Sequence, residues 1–172
     1  MSTETILAVP APPEHLARLQ RLAQQAAAWW RAQLAAPGHA GKFNNGDTSP
    51  AGETVQIMAS MAALFSREPA SDALDRFEQL LFQALWERME RDPSPSKPEY
   101  KGSARYTVLS VDYGPEGELR KAAQDAGVSG FPWKTTMWVH WDANPAKCYT
   151  EVRYGYGAPT QRLPCPAEQP IT

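Results

Sequence analysis

Two segments near the end of the sequence carry the side chains best suited to binding chemistry. Residues 135–142 and 148–156 are rich in β-branched and aromatic residues, as strands are, and Asn144-Pro145 between them is typical of a turn. Antiparallel pairing around this turn assigns one face to the core, with Trp141 opposite Cys148, Val139 opposite Thr150 and Met137 opposite Val152. The other face collects residues that can stack, titrate or bind anions, namely Trp138, His140, Tyr149, Glu151 and Arg153.

This aromatic and basic face predicts a binding platform. Its rings can stack on a nucleobase or a sugar, while the guanidinium of Arg153 holds a phosphate or carboxylate. Lys134, Thr135 and Thr136, at the start of the same strand, extend the platform with further donors. The alternative is an exposed face with a Glu151 to Arg153 charge pattern, or a face covered by a helix. The choice depends on register, because a shift of one residue would exchange the two faces.

The glycine-rich loop at residues 38–49 is a second candidate binding segment. Its glycines allow positive φ, so several backbone amides can turn toward one point. Ser49 suits a helix N-cap, and the N-terminus of a helix attracts anions. The residues expected to bind in this loop are Lys42, Asn44, Asn45 and Ser49. The loop does not match the Gly-Lys-Ser/Thr phosphate-binding pattern, so the alternative is ordinary turn chemistry.

The patterns that would indicate catalysis are incomplete. His140 and Asp142 share a strand face and can form an acid–base pair or two metal ligands, but two ligands on one strand do not specify a metal. The chain has three histidines and no Gly-x-Ser-x-Gly nucleophile motif. We therefore expect no catalytic residue, no metal site and no cofactor. Enzymatic activity stays open, and a small hydrolase using His140 with Asp142 or Glu151 is the lowest-ranked hypothesis.

Composition bounds the class of protein and of partner. The 172 residues suffice for one domain, with 42% hydrophobic and 21% charged residues. A net charge of −2 without a basic cluster disfavours a nucleic-acid partner. The absence of a signal-like or membrane-spanning apolar run predicts a cytoplasmic protein that does not bind membranes. The two cysteines, Cys148 and Cys165, lack metal or redox spacing, and whether they pair is open.

The elements that position these residues fall into two halves. Helical periodicity predicts one helix from Glu14, a second from Pro50 to about Ser66 and a third from Ser71, where the serine suits a cap. In the first helix Trp29 and Trp30 are about 100° apart, so one is expected at a rim or an interface. A proline-rich linker at residues 92–103 then leads into the strand-rich half.

The second half reads as strand, helix, strand, strand. The strand predicted at residues 105–113 is followed by a helix at residues 115–126 and then by the hairpin. If the first two strands are neighbours, a right-handed crossover makes them parallel, and the sheet is mixed. The fold class is therefore α+β, with a helical N-terminal half of about three helices. The domain spans residues 14–156 (helical 14–91, linker 92–103, β-rich 104–156), between a proline-rich arm at 1–13 and a proline-rich tail at 157–172.

Two functional hypotheses of different class follow. The first is a non-catalytic cytoplasmic binding protein that captures a small anionic, nucleotide-like ligand between the loop and the hairpin face. The second is a protein-interaction module (an inhibitor, an adaptor or an assembly component) that uses its proline-rich arms and exposed tryptophans, either as a single chain or as a homo-oligomer. Convergence of Lys42 and Arg153 on one cavity would favour the first hypothesis.

Overall fold

The computed structural model describes residues 11–35, 69–93, 106–132, 134–155 and 157–164. In chain order the elements are α1 (Pro13–Ala35), α2 (Ser71–Arg91), β1 (Tyr106–Val111), α3 (Gly117–Ala126), β2 (Thr135–His140), β3 (Tyr149–Tyr154) and β4 (Gln161–Arg162). The α+β class and the helical N-terminal half are confirmed. The helix predicted at 50–66 and the first ten residues of the arm lie outside the described residues.

Local sequence explains where the helices begin and end. Pro13 is the first residue of α1, a position where its missing N–H costs no hydrogen bond. Helix α2 begins at Ser71, but the capping residue is Ala70, and no side chain caps the helix, so the predicted Ser71 cap is wrong. Helix α3 ends at Gly127, whose φ of 71° is the left-handed conformation that glycine adopts readily.

The four strands form one antiparallel sheet in the order β1-β2-β3-β4. The prediction of a parallel crossover between the first two strands is therefore wrong. Val111, the last residue of β1, lies opposite Thr135, the first residue of β2. The 10-residue helix α3 is roughly 15 Å long, and the segment at 127–134 connects it to β2. The chain therefore enters β2 at the same end of the sheet at which it left β1.

The core lies between the helices and one face of the sheet, which we call the inner face. Phe131 joins the layers, because its ring centroid lies 6.1 Å from that of Trp30 on α1 and 5.6 Å from that of Phe77 on α2. Trp30 is fully buried, whereas Trp29 is half-buried and lies 6.0 Å from the ring of Tyr154. The two neighbouring tryptophans thus differ in burial, as their angular separation predicts.

The tail beyond residue 157 contains a short strand that the sequence pattern does not predict. Glu151 and Val152 of β3 pair with β4, and the backbone N–H of Leu163 donates to the carbonyl of Thr150 at 2.9 Å. The Gln25 side chain on α1 donates to the carbonyl of Pro164. These contacts tie the tail to the domain as far as residue 164. Within the described ranges, no helix has the length and hydrophobicity that a membrane crossing requires.

Candidate functional site

The face of the sheet opposite the helices, which we call the outer face, carries three cross-strand rows of side chains. The antiparallel registers define the rows, and the burial pattern places their side chains opposite the buried ones. The rows are Tyr106–His140–Tyr149, Val108–Trp138–Glu151–Arg162 and Ser110–Thr136–Arg153. Aromatic and basic groups from all four strands therefore share one surface.

The β2–β3 hairpin that presents most of this surface has the predicted register. Val139 lies opposite Thr150, and Met137 lies opposite Val152. The turn is stabilised by its own side chains, because the Asn144 carboxamide accepts a hydrogen bond from the N–H of Ala146 at 3.0 Å. The predicted assignment of the two hairpin faces is confirmed.

The first row is a set of aromatic rings in mutual contact. The rings of His140 and Tyr149 are stacked, with centroids 4.5 Å apart and planes at 25°. Tyr106 lies 5.5 Å from His140 on the other side, and the guanidinium of Arg162 lies 4.0 Å from the Tyr149 ring centroid. Because two groups lie this close to Tyr149, they occupy its two faces, and this ring is closed to stacking by a ligand.

The two arginines of the outer face are held by rings rather than by carboxylates. The Arg153 guanidinium lies 5.1 Å from the Trp138 ring, and Arg162 lies on Tyr149. None of the ion pairs among the described residues includes either arginine. The Nε atom of Arg153 is buried and has no hydrogen-bond partner within the same part of the chain. Both guanidiniums are thus oriented and retain donors that an anion can use.

His140 lies between the rings and the only carboxylate of the three rows. Burial lowers the pKa of its imidazole below 6.5, Glu151 opposes this shift, and the positive charge of Arg162 reinforces it. Nε2 of His140 lies 3.6 Å from an Oε atom of Glu151 and has no hydrogen-bond partner among the described residues. Burial therefore favours the neutral form of this imidazole, and protonation would add a third positive group beside the two arginines.

The structure separates two of the predicted binding residues from this surface. Thr135 is fully buried on the inner face. Lys134 has a φ of 55°, and its ammonium group pairs with Asp112 and lies 4.1 Å from the centroid of the Tyr113 ring. Its side chain is thereby directed to the loop after β1. Of the predicted hairpin set, the outer face brings together Trp138, His140, Tyr149 and Arg153.

The predicted loop residues have no structural test. Lys42, Asn44, Asn45 and Ser49 lie outside the described residues, so the convergence of Lys42 with Arg153 stays a prediction.

Tyr106 and Arg162 join the site without having been predicted. The alternation in the first strand places Tyr106 and Val108 on one face, but their position beside His140 and Trp138 requires the antiparallel register with β2. Arg162 comes from a two-residue strand, which is too short for any periodic pattern. To predict these two residues, the pairing of strands distant in sequence would have to be known, because no local motif marks them.

The described residues do not assemble a metal site. Within them, no group of at least three His, Cys, Asp or Glu side chains is placed to hold a metal ion. Strand β2 ends at His140, and the carboxylate of Asp142 accepts a hydrogen bond from the N–H of Asn144 in the turn. Asp142 therefore lies in the turn beyond the end of the strand, so the prediction that it shares a strand face with His140 is wrong. Cys148 is buried beside this turn, and Cys165 lies outside the described residues.

A second concave surface lies between α2 and α3. This groove has a volume of about 440 Å³ and is crossed by the 3.0 Å ion pair between Arg88 and Glu118. Its charged side chains are balanced, with Arg88, Arg91 and Lys121 facing Glu87, Glu118 and Asp125. The groove lacks the aromatic rings and the excess of positive charge found on the outer face.

Comparison of the sequence with protein-family models and with curated proteins gives no match to either.

Proposed function

We propose that this chain is a non-catalytic, cytoplasmic binding protein that captures a small anionic, nucleotide-like ligand on the outer face. The observation that carries the proposal is the pair of guanidiniums, Arg153 and Arg162, which are stacked on Trp138 and Tyr149 and have no carboxylate partner among the described residues. Stacked arginines of this kind bind phosphates and carboxylates through paired N–H donors.

The stacking also lowers the cost of binding. A free arginine side chain loses rotamer entropy when it grips a ligand, whereas a guanidinium already packed on a ring loses less. Arg153 and Arg162 are on β3 and β4, and both flank Glu151. The ligand anion therefore binds against the guanidiniums, while the neighbouring carboxylate limits how much negative charge this part of the surface accepts.

The planar part of the ligand packs on Trp138 in this proposal. Tyr149 is covered on both faces, whereas Trp138 is half-buried beside Arg153 and next to the partly exposed Val108. An aromatic ligand that packs on Trp138 gains apolar contact while its anionic group reaches Arg153. In this arrangement Lys42 from the glycine-rich loop supplies a further positive charge.

Thermal-shift measurements with AMP, ATP, a cyclic nucleotide, ribose 5-phosphate and inorganic phosphate test the proposal. A ligand that binds only the native state raises the unfolding temperature by mass action. We expect at least one nucleotide to do so, and we expect Arg153→Gln and Lys42→Ala to reduce the shift, each compared with the same variant without ligand. Arg76→Gln is the matched control, because Arg76 is an exposed arginine on α2.

Two outcomes would contradict the proposal. One is a panel in which none of these compounds stabilises the protein. The other is a nucleotide shift of full size in both Arg153→Gln and Arg162→Gln, which would place the binding site elsewhere. If only Lys42→Ala leaves the shift unchanged, the outer face binds the ligand without the loop.

A further inference from the structure

β1 forms one edge of the described sheet, and the turn that follows it shows which of its backbone groups point away from β2. Among the described strands, only β2 pairs with β1, and it does so on one side. On the other side, the N–H of Glu116 donates to the carbonyl of Ser110 at 3.0 Å, so the backbone groups of Ser110 point away from β2. Every second residue of an antiparallel strand points its backbone groups to the same side. The N–H and C=O groups of Tyr106 and Val108 therefore also point to the edge.

The turn that follows β1 covers one end of this edge. Pro115 forms a bridge with Val111, and the N–H of Asp112 donates to the carbonyl of Gly114 at 3.2 Å. This turn covers the edge from Ser110 onward. Among the described residues nothing pairs with the edge groups of Val108. Within the described part of the chain, the segment of this edge without a backbone partner runs from Tyr106 to Leu109; we call it the open segment.

The open segment lacks the features that usually protect an edge strand. Natural edges carry lysine, proline or a bulge that prevents pairing with another chain. β1 has the sequence Tyr-Thr-Val-Leu-Ser-Val, without a charge or a proline. The two exposed large hydrophobic residues in the described part of the chain are Val108, at 40% exposure, and Tyr113, just after the strand. Val108, one of these exposed hydrophobic residues, therefore lies on the strand that forms this edge.

We propose that β1 is a homodimer interface, in which the β1 strands of two copies pair antiparallel about a two-fold axis. With Thr107 at the axis, Tyr106 of each copy lies opposite Val108 of the other, and about four backbone hydrogen bonds form. This register leaves both turns at 112–116 outside the paired segment. It also creates two aromatic–β-branched cross-strand pairs, which are favourable in antiparallel sheets.

A second copy fits this edge because the segment is self-complementary. β1 has no charged side chain, so pairing two copies brings no like charges together. The arginines of the outer face lie on β3 and β4, at the far side of the sheet, and stay clear of the axis. An interface of one short strand pair is small, so the dimer dissociates reversibly and forms at high protein concentration.

Sedimentation equilibrium of the full chain over a range of concentrations tests this interface. We expect reversible association of the wild type to a dimer. Val108→Pro removes an N–H that β2 does not use, so it abolishes about half of the intermolecular hydrogen bonds and weakens association by at least about tenfold. Val108→Thr is the matched control, because it keeps both the N–H and the β-branched shape and should dimerise like the wild type.

A second variant keeps the test decisive if the proline substitution affects folding. Val108→Lys retains the N–H but places a positive charge at the centre of the interface, and it should also be monomeric at concentrations where the wild type associates. Far-UV circular dichroism checks that each variant is folded. A wild type that stays monomeric up to its solubility limit would overturn the proposal. So would a dimer of unchanged affinity in a folded Val108→Pro or Val108→Lys variant.

Discussion

At the scale of single residues, the charge of His140 depends on two groups with opposite effects. Burial lowers the pKa of the imidazole, Glu151 raises it and Arg162 lowers it. Glu151→Gln removes the group that favours the protonated form, so we expect the pKa of His140 to fall further. Arg162→Gln should shift it the other way. NMR titration of the histidine ring protons measures both changes, and equal pKa values in wild type and Glu151→Gln would contradict this account.

The same imidazole makes stability depend on pH in a defined direction. Its pKa in the folded chain lies below its ordinary value of 6.5, so between these two pKa values the unfolded chain binds more protons. The free energy of unfolding should therefore fall as the pH drops below about 6.5, and it should stop falling below the folded-state pKa. Urea denaturation across this range should give a shallower decline for His140→Gln than for the wild type. Identical declines would show that other groups cause the pH dependence.

At the scale of elements, the end of α3 offers a clean test of backbone conformation. Gly127 has a φ of 71°, and a Cβ atom added there would meet nothing within 4 Å. Gly127→Ala should therefore destabilise the protein by about 1 kcal/mol through conformation alone. Gly114→Ala is the matched control, since its surroundings are equally open and its φ is not in the left-handed region. Urea denaturation compares the two, and equal effects would be inconsistent with this explanation.

Sequence patterns predicted elements better than the connections between them. The hairpin register followed from the position of Asn144-Pro145 and from two-residue alternation, both of which are local. The relation of β1 to β2 was predicted wrongly because a helix between two strands usually indicates a crossover. Here the return segment at 127–134, rather than the helix, decides the direction. Nothing in the hydrophobic pattern distinguishes a segment that crosses the sheet from one that turns back.

For the candidate site too, the features set by local sequence were predictable, and those set by distant contacts were not. Trp138, His140, Tyr149 and Arg153 share a face because of strand alternation, which a sequence shows. Lys134 was misplaced because its positive φ and its ion pair with Asp112 depend on the β1 loop, which is 22 residues away in the chain. Thr135 is the first residue of β2, and strand alternation places it on the same inner face as Met137 and Val139.

At the scale of the whole molecule, one shared core predicts that both halves unfold together. Phe131 is 8% exposed and contacts rings of both long helices, so Phe131→Ala should lower the free energy of unfolding by about 3–5 kcal/mol. Tryptophan fluorescence and far-UV circular dichroism should still give coincident transitions. Val108→Ala, at a half-exposed position, is the control and should change little. Separate transitions for helix and sheet would contradict a single cooperative unit.

The contact between Gln25 and Pro164 links residues 139 positions apart, and the strand beside it is the last to join the sheet. During synthesis on the ribosome, β3 therefore has no neighbour on that side until the segment at 161–164 has emerged. Nascent chains with unpaired strands are the species that aggregate and that chaperones recognise. Translation stalls or truncations just before residue 161 should thus leave a nearly complete domain that is nevertheless prone to form inclusion bodies, although only the twelve residues 161–172 are missing.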